Sequence, residues 1–509
     1  MKKISRLLLS RGFVATLSIL VQLEFWVFVF TFFEEYQEIL IGSMIFLSIF
    51  CCIHIIIKDM YQEHKIAWII FTIMFPISAG IFYLLFGSHR VDKKTHLFHL
   101  EIQQKWKEAV ETVPNIDLNL LPSPSSPRQS QYLHRIAYAP TFQNTSVKYF
   151  KLGEEMHASL LEELKLAEKF IFIESFIIEE GKMWGEIEEI LIAKAKSGVD
   201  VRVLFDDLGC ILKLPTNFAK RLQSHSIDCR PFHKTSHFFN ANFNNRDHRK
   251  ICVIDGNVGF NGGINLADEY INHISVFGHW KDTAVMLQGD AVYSLTIMFL
   301  SMWSLERKKI EEFSDFAPNI QVIGDGFVQP FADNPLDEHS VGESAYMNLL
   351  NTAENYVYIT SPYLIISREM TVSLCNAAKS GIDVRLILPG IPDKKFVHFL
   401  SRSYYPTLMK AGVKIYEYTP GFIHSKMFIS DDHTAVVGTI NLDYRSLDLH
   451  YECATVLYGS AVVKEIVADF LDTQSKSMEI TLDLVEQHGK LGFFQFVALG
   501  VLRTFSPLL

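Results

Sequence analysis

The sequence predicts an N-terminal set of transmembrane helices followed by two copies of one α/β domain. Three observations predict it. Long apolar runs are confined to the first 87 residues, short β-branched runs then alternate with helical stretches, and blocks of sequence recur in the same order in the two halves of the remainder.

The apolar runs are Phe13 to Phe33, Ile39 to Ile57 and Ile66 to Phe86. Each is about 20 residues, the length that crosses a hydrocarbon core of about 30 Å. Lys2, Lys3, Arg6 and Arg11 precede the first run and no small-residue cleavage site follows it, so it reads as a retained anchor. Residues 1–87 are thus expected to form a membrane anchor with two or three spans, making the chain a multi-pass protein of the cell membrane. Glu24 in the first run, and Pro76 and Gly80 in the third, mark the segments best suited to lie in the interface or re-enter.

Residues 88–145 read as a linker, because Pro122, Ser123, Pro124, Ser125, Ser126 and Pro127 form a breaker-rich stretch inside it. The first α/β domain is expected over 146–330 and the second over 331–485. Within the first, Phe170 to Ile178 reads as a strand, Met183 to Lys196 as a helix and Val199 to Phe205 as a strand. In the second, Tyr346, Leu349, Leu350 and Ala353 at helical spacing read as core. The last segment, 486–509, carries Phe493, Phe494, Phe496, Val497 and Leu499, and is expected to be amphipathic at an interface or packed on the domain.

Composition narrows the function. The net charge of −10 argues against a general nucleic-acid binder, and no nucleic-acid partner is expected. Seven cysteines are scattered without a C-x-x-C pair, which disfavours a disulfide framework or a zinc knuckle, and no metal or other cofactor is expected. Residues 1–87 hold six basic and six acidic side chains, so the whole acidic excess belongs to the part beyond the anchor.

The duplication carries the chemistry. Ala195-Lys196-Ser197-Gly198-Val199-Asp200-Val201-Arg202 reappears as Ala378-Lys379-Ser380-Gly381-Ile382-Asp383-Val384-Arg385. His248, Lys250, Asp255, Gly263 and Asn265 recur with identical spacing as His424, Lys426, Asp431, Thr439 and Asn441, and Asp282 and Glu452 are the repeated acids downstream. Residues two apart in a strand face one side, so each His and Lys project together. Gly262-Gly263 ends the second strand where a missing side chain lets backbone approach a ligand, and Asn265 and Asn441 could donate amide hydrogens to it. An imidazole, a fixed cation, small residues and an amide donor on one surface describe an anion site, most simply a phosphate.

These paired motifs resemble the HKD motifs of the phospholipase D superfamily, and the order of spans and domains is similar to that of bacterial cardiolipin synthases. Further local matches are Asp268-Glu269-Tyr270, Asn441-Leu442-Asp443-Tyr444-Arg445-Ser446-Leu447 and the terminal Ser506-Pro507-Leu508-Leu509. Thr439 stands where the family often has Ser, which keeps the hydroxyl.

The resemblance implies two phospholipase D-like α/β/α sandwiches related by a pseudo-twofold axis, and phosphatidyl transfer between two phosphatidylglycerol molecules through a phosphohistidine. It assigns His248 as nucleophile and His424 as acid and base. It gives Lys250, Lys426, Asn265, Asn441, Gly263 and Thr439 to the phosphate, and Asp282 and Glu452 to holding the imidazoles. Asp255 and Asp431, the acids of the motif, are counted by the resemblance with the catalytic residues, and are expected to brace the hairpins rather than touch substrate. One imidazole must start neutral and the other protonated, which predicts a bell-shaped pH dependence. Hydrolysis to phosphatidic acid, synthesis of another head group and a membrane-tethered nuclease are the alternative activities.

Overall fold

The computed structural model describes residues 20, 24, 27, 28, 31, 32, 34–58, 60–75, 79, 83, 93–233, 244–337, 339–488 and 492–506. The chain divides into two compact units. One comprises 1–92, 235–244 and 496–509, and the other 93–234 and 245–495.

In the first unit the helix Gln37–Ile57 is apolar along its whole length and leaves large side chains such as Phe46 and Ile57 exposed. It is the one helix among the described residues that is long and apolar enough to cross a membrane. The expectation of two or three spans therefore contracts to one candidate. Most of the first apolar run lies outside the described residues. In the third run the described helix, Gln62–Met74, has only 13 residues and stops ahead of Pro76, whose ring disfavours helical backbone in the residue before it. Lys65 Nζ donates to the carbonyl of Ile56 at 3.1 Å, and Ile55 and Trp68 pack together with Phe71 and Tyr83. The C-terminal helix Phe493–Phe505 belongs partly to this unit, where Phe505 meets the Phe71 ring edge-on at 6.4 Å.

The second unit holds both copies of the duplication. The first copy forms a seven-stranded sheet in the order Thr145–Phe150, Ala284–Gly289, Val258–Gly262, Lys250–Ile254, Phe170–Ser175, Asp200–Asp206, Asp228–Phe232. The second repeats that order as Phe327–Asp333, Glu452–Tyr458, Thr434–Gly438, Met427–Ser430, Tyr356–Thr360, Asp383–Pro389, Lys414–Tyr418, and adds Ser477–Ile480 as an eighth strand. In each copy the last two of these seven-strand pairings are parallel and the rest antiparallel. The predicted strand, helix and strand over 170–205 are present as Phe170–Ser175, Lys182–Lys196 and Asp200–Asp206.

Each sheet is covered on both faces. Helices Gly153–Leu166 and Lys182–Lys196 cover the outer face of the first, and Val341–Thr352 and Arg368–Lys379 that of the second. Tyr346, Leu349 and Leu350 are buried there, as expected. The space between the sheets is filled by Val292–Arg307 and Val462–Ser475. Val292–Arg307 has no polar stripe because it is buried all round from Val292 to Ser304.

Residues 93–137 are not a tether. Helix Lys93–Glu111 puts Ile102, Trp106 and Val110, four residues apart and so on one face, into the core between the sheets. The breaker-rich stretch opens helix Ser126–Ala137, with Pro127 in the first turn where its missing N–H costs nothing, and Leu133 and Ala137 enter the second domain's core.

Two short connections join the copies. Gly421–Ile423 pairs in parallel with His279–Lys281, and Asp247 bridges Tyr451 in the same sense. Each connection ends one residue before a motif histidine on one side and one residue before the repeated acid on the other.

Candidate active site

Those two connections build the site. The backbone N–H of His248 donates to the Tyr451 carbonyl at 2.9 Å, and that of His424 to the Lys281 carbonyl at 2.7 Å. Each imidazole is thereby delivered to the acid of the other copy. Nδ1 of His248 donates to the Glu452 carboxylate, 2.8 and 3.0 Å from its two oxygens, and Nδ1 of His424 donates to Asp282 Oδ2 at 2.7 Å. Both acids are fully buried. With Nδ1 held, Nε2 is the nitrogen of each ring left to face a substrate.

The lysines lie under the rings. Lys250 Nζ donates to the His248 carbonyl at 2.6 Å, and Lys426 Nζ donates to the His424 carbonyl and stands 3.1 Å from Nε2 of that ring. Both ammonium groups are buried, and neither makes an ion pair with a carboxylate among the described residues. Burial accordingly lowers Lys250 to about 8 and Lys426 to about 7, the latter also repelled by Lys250. The imidazoles respond in the same direction. Burial, then Lys250 and Lys426, hold His248 well below the usual histidine range, and burial with Lys426 brings His424 to about 4 despite Asp282. Both rings thus favour their neutral form. The expected split, one neutral and one protonated from the outset, is not favoured, because burial and then the ammonium groups act on both rings alike.

The other motif residues mostly support the carboxylates and loops. Thr439 Oγ1 donates to Glu452 Oε2, and Ser446 Oγ donates to Glu452 Oε1, so the hydroxyl expected on the phosphate sits on the acid behind His248. A Cβ at Gly263 would lie 2.1 Å from Asp282 Oδ1, so that glycine makes room for the acid behind His424 rather than for a ligand. Asn265 accepts from the Ile177 N–H at 3.0 Å and donates to the Tyr270 hydroxyl at 2.6 Å, tying two loops together. Asn441 Oδ1 is buried with no hydrogen-bond partner among the described residues.

Asp255 accepts from the N–H groups of Glu168, Lys169 and Phe170 at 2.7–2.9 Å, and Asp431 from Glu354, Asn355 and Tyr356 at 2.7–3.0 Å. Both sit at positive φ in the turn after the histidine strand, away from the imidazoles. They brace the hairpins and do not touch the site.

Sequence reasoning missed several supports. Arg246 and Asp206, both buried, make a bidentate pair at 2.8–3.1 Å that fixes the loop entering His248. His450 lies 5.5 Å ring to ring from His248 with Nδ1 3.7 Å from Glu452 Oε1, and neither of its ring nitrogens has a hydrogen-bond partner among the described residues. Its place two residues before Glu452 was the available signal. His248, His450 and Glu452 bring possible ligand atoms within 4.8 Å of one another, but the Glu452 oxygens are already engaged by His248, Ser446 and Thr439.

Comparison with known proteins agrees with this geometry. The family model described as "Cardiolipin synthase, PLD-like domain" matches residues 160–295 and 346–473, one match per copy, and "Phospholipase_D-nuclease N-terminal" matches 46–88. A cardiolipin synthase of Halalkalibacterium halodurans is 34% identical over 466 residues, covering 91% of this chain and 92% of that protein. The chain belongs to the cardiolipin synthase family. An uncharacterized protein of Streptococcus mutans is 50% identical over 363 residues, 70% of this chain and 78% of its own. Among solved structures, phosphatidylserine synthase of Haemophilus influenzae superposes with a TM-score of 0.53 at 13% identity, over 74% of this chain and 99% of that one. That likeness establishes the shared phospholipase D-like fold for this cardiolipin synthase family member.

Proposed function

We propose that the protein is a membrane-bound cardiolipin synthase that transfers a phosphatidyl group from one phosphatidylglycerol to the hydroxyl of another, giving cardiolipin and free glycerol. The observation that carries the reading is the crossed pair of imidazole–carboxylate bonds, His248 with Glu452 and His424 with Asp282, over two buried lysines that lack an anion. A phosphodiester supplies that anion.

His248 attacks phosphorus through Nε2. The new N–P bond forms as the P–O bond to the head-group glycerol breaks, and the departing oxygen takes a proton from His424. The phosphate charge raises the pKa of the surrounding imidazoles and lysines, so the acid acquires its proton as substrate enters. A hydroxyl of the second phosphatidylglycerol then gives its proton to His424, the new O–P bond forms and the N–P bond breaks. Lys250 and Lys426 hold the non-bridging oxygens, where charge builds in both transition states, and Asn441 is placed to assist. The residues in each copy that position these groups do so without contacting phosphorus. The anchor keeps the site at the bilayer where the substrate is concentrated, with the two-or-three-span arrangement retained as part of this reading.

The test is to quench the purified full-length protein in acid-free denaturant after mixing it with phosphatidylglycerol labelled in phosphate. Label is expected on protein as an acid-labile, base-stable phosphohistidine, absent in His248→Ala. Turnover with no such species, or its persistence in that variant, contradicts the mechanism.

A further inference from the structure

The reaction above brings together two anionic lipids, and only one phosphate sits at the histidines. The phosphate of the accepting lipid does not react, yet it must lie within one glycerol length of the reacting phosphorus. In a low-dielectric site that charge requires a counter-charge of its own.

Arg445 has the matching property. It occupies the π-helical turn Arg445–Leu449, between Asn441 and Glu452. The turn is pinned at its neighbour: Ser446 accepts from the Asn441 N–H at 2.8 Å and donates to Glu452. The Arg445 side chain is partly buried, and it makes no hydrogen bond and no ion pair with any described residue. Its electrostatic neighbours are Asp443, which favours its charge, and Arg246, which opposes it, while Arg246 is itself committed to Asp206. Burial leaves the guanidinium below the usual arginine range. Its neighbour Ser446 bonds Glu452, the acid behind His248, which places the turn close to the reaction centre.

The two copies differ here. The register position of Arg445 in the first copy is Glu269, which faces Lys213 at 3.8 Å. The pseudo-twofold site thus carries an unpaired cation on one copy and an acid on the other, and the phosphate-transfer chemistry, shared equally by both copies, does not account for it. A planar guanidinium fits two oxygens of a phosphodiester better than any neutral head group.

We propose that Arg445 binds the non-reacting phosphate of the accepting phospholipid, and so selects an anionic lipid over water or a neutral alcohol as acceptor. This rests on the reading of the protein as a phosphatidyl transferase.

The test offers both acceptors at once. Full-length wild type and Arg445→Gln are reconstituted in phosphatidylglycerol vesicles with ethanol present, and the ratio of cardiolipin to phosphatidylethanol is measured. Both products draw on the same phosphatidyl-enzyme, so the ratio is independent of the amount of folded protein. The ratio is expected to fall about ten-fold or more in Arg445→Gln, the loss of a charge-assisted bond, with total phosphatidylethanol retained, and to recover partly in Arg445→Lys. An unchanged ratio, or both products lost together, overturns the role of Arg445. Wild type that makes phosphatidylethanol but no cardiolipin contradicts the underlying reading, and this one with it.

Discussion

Protonation at four side chains sets the chemistry. Before substrate enters both imidazoles favour their neutral form, while Lys426 and Lys250 are lowered to about 7 and about 8. An amine whose pKa is depressed is charged below that value and neutral above it, and an incoming phosphate raises it again. Substrate binding therefore takes up protons, and kcat/KM, which follows the free enzyme, should decline as pH rises above the value of about 4 at His424 and more steeply through 7 to 8 as the lysines lose charge. A profile flat from pH 5 to 9, with chemistry limiting, contradicts this. His248→Ala and His424→Ala are each expected to remove turnover. Thr439 offers a finer test, because its hydroxyl bonds Glu452 and the Cys453 backbone without touching an imidazole. Thr439→Val should lower kcat about ten-fold by leaving a buried carboxylate oxygen unpaired, and Thr439→Ser should restore it. Equal activity in both variants would show that the hydroxyl does not position Glu452.

At the scale of elements, the hairpin that follows each motif histidine is held by an aspartate rather than by its own turn alone. Asp255 and Asp431 each satisfy three backbone N–H groups at and just before the start of the neighbouring antiparallel strand. Replacing either by Ala should cost about 1–3 kcal/mol of stability, read as a lower thermal midpoint, with the pH profile of residual activity unchanged. A shifted profile would place these acids in the chemistry instead. The strands and helices around the motifs were legible in the sequence, since β-branched runs and helical spacing report burial directly. Gly263 and Thr439 were misread because spacing gives the residue's place along its strand but not what faces it across the sheet, and here that is a carboxylate. The helix at Ser126–Ala137 was hidden by proline and serine, which mark helix starts as readily as loops.

For the whole molecule, the consequence of duplication is that neither copy contains a complete site. The sequence displays two motifs and two acids, but only the paired strands Gly421–Ile423 and His279–Lys281, and the Asp247 bridge to Tyr451, reveal that the bonds cross between copies. Coupling should follow the same crossing. In double-mutant cycles on turnover, using variants that retain measurable activity, Asp282→Asn and changes at His424 should be strongly non-additive, whereas Asp282→Asn and Glu452→Gln, 170 positions apart and on different rings, should each disable a separate imidazole. Independence of His424 and Asp282 would contradict the crossed arrangement. The acidic excess lies outside the anchor, so the four histidines and lysines work as a local positive site within an unfavourable long-range field. Moderate salt, which screens that field, is expected to improve the association of anionic lipid, and inhibition by salt from the lowest concentrations would contradict this. The most direct measurement is product stoichiometry: full-length protein in vesicles of phosphatidylglycerol should release glycerol and form cardiolipin in equal amounts, whereas phosphatidic acid as the main product, or neither lipid product, would contradict the account.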